Sequence, residues 1–449
     1  MIDLFIVILS VIFITGIGFS VIKWLKLLSG KDNLLTLGYS YGLGVGLISF
    51  QLYLYSRLNV SWDKYLLIVP WGLLMILFAF LNKKRFKFNF KIPKLGKIQY
   101  SLLALILLAV SYTLLEALLR PVSVWDAWAI WLMKSKVFFI DGKIMPSTLN
   151  YVRSDYPLVI GLLGTFIYLM LGKVNDTVVL FASFSFYLFL GILFFGIIKE
   201  RFGITYALLA TFLLLAVQNL IRHGGRLEVG QADLALGYYF FICLSLLLSY
   251  LKNNNFKILI LLSVFMGITT LIKFEGIPFV LVLEAVILYR IFTKKLYQHL
   301  ISMLLWIIPV VDWQMYKMTN HFIYTYFSGR PIVVSTSKTI NAFWITFLEL
   351  INVKSWNLLW ITYLYSLFTF KIFRNREFII VNFMVLSQLA VYILIYILTL
   401  NNAPESTIER LLTHLAPMAM LYLVLLAAEK NLKTKINRSI LFRHLRWKV

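Results

Sequence analysis

Along this chain apolar residues run in blocks of about twenty, broken by short polar or basic interruptions, from Ile2 to Ala428. A helix rises 1.5 Å per residue, so roughly 17 to 25 apolar residues reach across a hydrocarbon layer ~30 Å thick. Inside such a layer a segment must satisfy its own backbone polar groups, which makes helix the form each block takes. The pattern predicts helices at about 2–22, 34–56, 66–82, 100–119, 175–198, 203–221, 231–250, 256–273, 276–293, 298–316, 356–372, 377–400 and 409–428, about thirteen spans in all. One further block, Tyr156 to Gly172 (YPLVIGLLGTFIYLMLG), is short for a span. It is expected to lie in the outer interface or to re-enter, and that choice sets the parity of every later loop.

Composition agrees with the pattern. With 61% hydrophobic residues, 14% charged residues and a mean hydropathy of +0.85, the chain is outside the range of water-soluble domains. The fold class is an all-α polytopic membrane protein, and no separate soluble domain is expected. A formal charge of +24 raises nucleic acid as a partner. The Lys and Arg residues, however, sit in short clusters between apolar blocks rather than on one soluble face, so no nucleic acid is expected. The heaviest clusters, Lys83 to Lys97 and Lys430 to Lys448, are placed in the cytoplasm beside anionic lipid by the positive-inside rule. With Tyr156 to Gly172 not crossing, KERF, LKNNNFK, YRIFTKK and KIFRNR all become inner loops. The N-terminus is then outside and the C-terminus cytoplasmic. The opening MIDLFIVILS lacks the basic stretch and cleavage site of a secretory signal, so the first helix is expected to remain. Cys243, the one cysteine, lies inside an apolar run and reads as packing.

Most of the 19 Asp and Glu fall near the expected outer face, many at helix ends: Asp126, Glu228, Asp233, Glu275 and Glu409. Ionisable groups at membrane depth are costly and mark functional cavities. Each also has a plainer reading. Ser123 and Asp126 fit a capping box, with Trp125, Trp128 and Trp131 as an interfacial aromatic belt. Asp233 suits a helix N-terminus, and Lys273 with Glu275 reads as a local ion pair. Arg410 and His414, four apart, share one helix face, where a snorkelling Arg and a packed His would also fit. His223, beside Gly224, Gly225 and Arg226, reads as a loop histidine, and five scattered histidines without ligand spacing leave a metal unknown. Gly38, Gly42 and Gly46 form a small-xxx-small stripe for helix packing. Ile340 to Val353 reads as an interfacial amphipathic helix.

Taken in order, Asp126, then Ser154-Asp155-Tyr156-Pro157, then GGRLEVGQADLALGYYF (Gly224 to Phe240), LIKFEGIPF (Leu271 to Phe279) and ERLLTHLAP (Glu409 to Pro417) resemble the GT-C superfamily of membrane glycosyltransferases. Protein O-mannosyltransferases and lipid A aminoarabinose transferases belong to it. The resemblance spans Gln99 to about Ala428, so residues 1–98 read as added helices with a basic loop, 99–428 as the transferase module and 429–449 as a basic cytoplasmic tail. It implies outer-leaflet juxtamembrane helices and an inverting transfer of a sugar from a polyprenyl phosphate to an acceptor hydroxyl in cell-envelope or protein glycosylation. Membrane lipids and a lipid, glycan or protein acceptor are the implied partners. No cofactor is certain, although a divalent cation is open. The implied roles are Asp126 and Asp233 as catalytic acids, Arg410, His414, Lys273 and Arg226 at the donor phosphate, and Asp155, Tyr156, Glu228 and Glu275 at the substrate. The alternative class is a transporter or lipid-linked-sugar flippase. Such proteins carry charges at the midplane and internal repeats, whereas here charges gather at helix ends and no repeat is evident.

Overall fold

Leu, Ile, Phe and Val in long uninterrupted runs leave the backbone only its own hydrogen bonds in an apolar solvent, and helix is what forms. The computed structural model describes residues 2–28, 32–81, 94–150, 153–322, 334–369, 376–398 and 404–446. It is 84% helix, without strands among the described residues. In order the helices are α1 (Ile2–Trp24), α2 (Asn33–Arg57), α3 (Lys64–Leu81), α4 (Lys97–Leu119), a π-helical segment (Ala127–Leu132) running into α5 (Met133–Asp141), α6 (Pro146–Leu149) and α7 (Val159–Leu171). Then come α8 (Asp176–Phe202), α9 (Ile204–Leu215), α10 (Gln218–Gly225), α11 (Asp233–Asn253), α12 (Phe256–Thr270), α13 (Gly276–Lys294), α14 (Leu300–Met303) and α15 (Ile307–Thr319). The last are α16 (Thr336–Leu350), α17 (Val353–Trp356), α18 (Leu359–Thr369), α19 (Arg376–Leu398) and α20 (Pro404–Arg446).

Among the described residues eight helices are long and apolar enough to cross a membrane, or nine if α9 and α10 count as one bent span. That is fewer than the apolar blocks suggest, and the reasons are local. The chain bends by 70° between α9 and α10. The expected span 256–273 stops as a helix of 15 residues, and 298–316 breaks into short α and 3-10 pieces. Although α2 has 25 residues, its Gly, Ser, Tyr and Gln lower its hydropathy. The basic cluster at 83–93 and the expected inner loop at 371–375 lie outside the described residues.

The short block forms α7, 13 residues and so about 20 Å of helix. Its flanks are both tied to α5. Lys134 Nζ donates to the Tyr156 carbonyl at 2.9 Å before α7, and Lys136 pairs with Asp176 at 2.6 Å after it.

The first helices are central to the packing. A Cβ on Gly44 would lie 1.9 Å from the Ile14 carbonyl oxygen, so α1 and α2 meet backbone to backbone. One on Gly38 would lie 2.6 Å from the Leu193 Cα, so α2 also lies close against α8. Tyr238 and Tyr239 of α11 then donate to the Gly38 and Gly42 carbonyls at 2.6 and 2.8 Å. Small residues thus let α2 sit between α1, α8 and α11, as close backbone approach in helical bundles requires.

Candidate active site

Asp126 follows the end of α4 and opens the turn that becomes the π-helix. The expected capping box does not form here. The Val124 carbonyl accepts from Ala127 and Trp128 at 3.1 and 3.3 Å, so the helix begins one residue later than Ser123 would cap it. Asp126 instead faces Arg410 of α20, with Oδ2 and Nη1 2.6 Å apart. The aromatic belt divides: Trp125 and Trp128 are exposed and meet edge to face, while Trp131 is buried.

Arg410 bridges two carboxylates. Its Nε and Nη2 donate to Asp233 Oδ2 at 3.1 and 3.0 Å. Asp233, the first residue of α11, is wholly buried, and its other oxygen accepts from Lys273 Nζ at 2.7 Å and His414 Nε2 at 3.0 Å. A carboxylate only accepts, so in the neutral His414 ring Nε2 carries the proton and Nδ1 accepts from the Tyr392 hydroxyl at 2.7 Å. Lys273, in the turn after α12, also meets Glu275 at 3.1 Å. Burial alone would lower the Lys273 pKa, but the Asp233 and Glu275 carboxylates outweigh it and raise it above its ordinary value. Gln388 of α19 fixes that turn by donating to the Glu275 carbonyl at 3.1 Å. The chain Asp126–Arg410–Asp233–Lys273–Glu275, with His414 beside it, therefore joins residues from four distant segments. It opens at one end, where the Asp126 and Arg410 side chains are 27% and 21% exposed.

The other expected residues lie in neighbouring groups. Glu228 accepts from Arg222 Nε and Nη2 along one guanidinium edge, and Arg222 Nη1 reaches Glu409, which also accepts from Ser355 at 2.8 Å. Arg226 lies 3.5 Å from Glu116. Asp155 is buried within charge reach of Lys134 and Lys317. The Tyr156 ring meets Trp131 and Phe274 edge to face at 5.6 and 5.2 Å. Burial pushes the Lys134 ammonium down to about 7, against the opposing pull of Asp155. His223 is not in a loop but on α10, and it is buried. Among the described residues no group of three His, Cys, Asp or Glu side chains is placed to hold a metal.

An apolar cleft of about 290 Å³ lies between α2, α7, α12 and α15, lined by Gly46, Phe50, Leu162, Ile268 and Trp313 among others. Its lining includes Leu158 and Leu271, each two residues from Tyr156 or Lys273 in the chain. Neither this cleft, nor Tyr392 and Gln388 as supports, nor Lys134 is visible in the sequence pattern. Each reads in isolation as one more residue in an apolar or basic stretch.

Fold and site together define a multi-pass helical membrane protein with a buried acid–base chain at one end of its helices. Residues 155–313, about a third of the chain, match the dolichyl-phosphate-mannose-protein mannosyltransferase family. That match supports what the motifs resemble, a glycosyltransferase of the GT-C superfamily. No curated protein and no solved structure matches the chain. The matched region contains Asp155, Tyr156, Arg226, Glu228, Asp233, Lys273 and Glu275, and the structure adds Asp126, Arg410 and His414 to it from outside.

Proposed function

We propose that this protein is an inverting glycosyltransferase that moves a sugar from a polyprenyl phosphate to an acceptor hydroxyl at the outer face of a cell membrane. The observation that carries this reading is the Asp126–Arg410–Asp233 chain, which puts a partly exposed carboxylate next to a buried cationic centre. In the reaction the acceptor hydroxyl gives its proton to Asp126 as its oxygen bonds to the anomeric carbon. The bond from that carbon to the phosphate oxygen breaks, and polyprenyl phosphate leaves with the electron pair. Arg410 spends three of its five N–H groups on Asp126 and Asp233, and those left on its exposed edge face the departing phosphate. Asp233 touches no open space, so its role is to position Arg410, Lys273 and His414. The apolar cleft, whose lining includes Leu271, takes the isoprenoid chain. Arg226 and Glu228 keep their own ion-pair partners and stand outside the transfer.

Purified protein is incubated with a panel of radiolabelled polyprenyl-phosphate sugars and native membrane extract, and transfer or slow hydrolysis is followed. Turnover of one donor, reduced in Asp126→Asn by a factor of about a hundred or more, is the expected result. Absence of turnover with every donor would overturn the reading. Sidedness is tested after replacing Cys243, with single cysteines at Asn175 and Gly203, which flank α8. The first should react with an impermeant thiol reagent from outside and the second should be protected.

A further inference from the structure

His223 is a buried side chain at the edge of the site that the transfer described above does not use. It is 2% exposed, and neither ring nitrogen has a hydrogen-bond partner among the described residues. The side-chain nitrogens of Asn219 and Arg222 on the same helix are engaged. Asn219, one turn earlier on the same face of α10, donates to the Glu409 carbonyl and to Thr413 of α20. Arg222 holds Glu228 and Glu409. His223 therefore points along the face that docks against α20 and lies within electrostatic reach of Asp233, Arg410 and His414. The helix cannot turn to give the ring a partner, because Gly224 and Gly225 press it onto its neighbours. A Cβ on Gly225 would lie 1.8 Å from the Thr113 carbonyl oxygen.

Leaving two buried polar atoms unpaired costs stability, and such an arrangement persists where a ligand completes it. The chemistry of the ring says which ligand. A neutral imidazole donates from one nitrogen and accepts at the other, the complement of a hydroxyl, which also does both. A phosphate offers only acceptors, and the exposed edge of Arg410 already supplies donors for it.

We propose that His223 binds a hydroxyl of the transferred sugar and thereby selects the donor. This rests on the glycosyltransferase reading above. A site built to hydrogen-bond a hydroxyl discriminates strongly against the analogue lacking it, whereas an apolar pocket does not.

The test uses the full chain, the donor that the wild-type protein turns over, and the monodeoxy forms of that donor. One deoxy donor should be used at least about tenfold more slowly by the wild type. In His223→Leu that penalty should fall towards one, while the penalties at the other positions stay as they were. Equal loss on every donor, with each deoxy penalty retained, overturns the proposal. A readout independent of turnover compares melting temperatures without donor. His223→Leu should melt at or above the wild type, because it removes two unpaired buried nitrogens, whereas His414→Leu breaks hydrogen bonds to Asp233 and Tyr392 and should melt lower. A fall in His223→Leu as large as in His414→Leu makes the ring a structural prop and overturns the proposal. A wild type that turns over no donor overturns the transferase reading and this inference with it. A wild type that works beside a variant with unchanged donor preference overturns the inference alone.

Discussion

Two buried charge clusters lie on either side of the turn Lys273–Phe274–Glu275. Lys273 and Glu275 face Asp233, while Phe274 meets Tyr156 and lies 5.7 Å from Lys317 Nζ. In the first cluster charge meets charge: Asp126, Asp233 and Glu275 against Arg410 and Lys273, with one end open. In the second the cations are in excess, and Lys134 spends its protons on backbone carbonyls, those of Arg153 and Tyr156. An ammonium that ties two carbonyls fixes a loop. A partly exposed guanidinium held between two carboxylates still has N–H groups that neither carboxylate uses. The difference separates a scaffold from a site, although both contain buried lysine and aspartate.

The largest effect is expected where compensation is most complete. Asp233→Asn leaves Arg410 and Lys273 buried with too little negative charge and should cost about 3 to 5 kcal/mol, read as a fall in thermal stability. Asp155→Asn should cost clearly less, and equal losses would erase the contrast. Next, Asp126→Asn should lower transfer by about a hundredfold or more while changing stability by no more than about 1 kcal/mol, since its ion pair is partly exposed.

A smaller effect sharpens the second cluster. Lys134 is lowered from its ordinary value near 10.5 to about 7. Between those values the unfolded chain binds a proton that the folded chain does not, so this group makes stability rise with pH from about 7 to 10.5 and stay level below 7. Lys134→Met should flatten the melting curve across that window, and an unchanged slope would count against the burial of the amine. The smallest effect is for Ser123→Ala, expected within about 0.5 kcal/mol of wild type, where a true cap would cost about 1 kcal/mol.

Much of the first cluster was legible in the sequence because its members sit at the ends of apolar runs, where a charge is conspicuous. Asp126, Asp233, Lys273 and Glu275 stand out that way, and Arg410 with His414 by helical spacing. Their connection was not legible. Asp233 and His414 are 181 residues apart, and nothing local says that α11 and α20 meet. Asp233 and Arg410 each admitted a private explanation, a helix N-terminus or a snorkelling side chain, until the pairing was known. The expected count of about thirteen spans exceeds the eight or nine long apolar helices among the described residues for a related reason. Hydropathy reports whether a residue is shielded from water, and residues shielded by protein in a short helix such as α12 look the same as those shielded by lipid.

The π-helical segment sits between the two clusters, with Asp126 before it and Lys134 after it. Its looser i→i+5 hydrogen bonding carries one more residue per turn than an α-helix would. Closing the segment to ordinary α-helix with its residue count unchanged would rotate everything before it by about 100° relative to everything after it. Asp126 would then leave Arg410 while Lys134 kept its loop. The segment acts as a phase setting between the two ends of one short helix, so the spacing of eight positions from Asp126 to Lys134 constrains the chain as strictly as the identity of either residue.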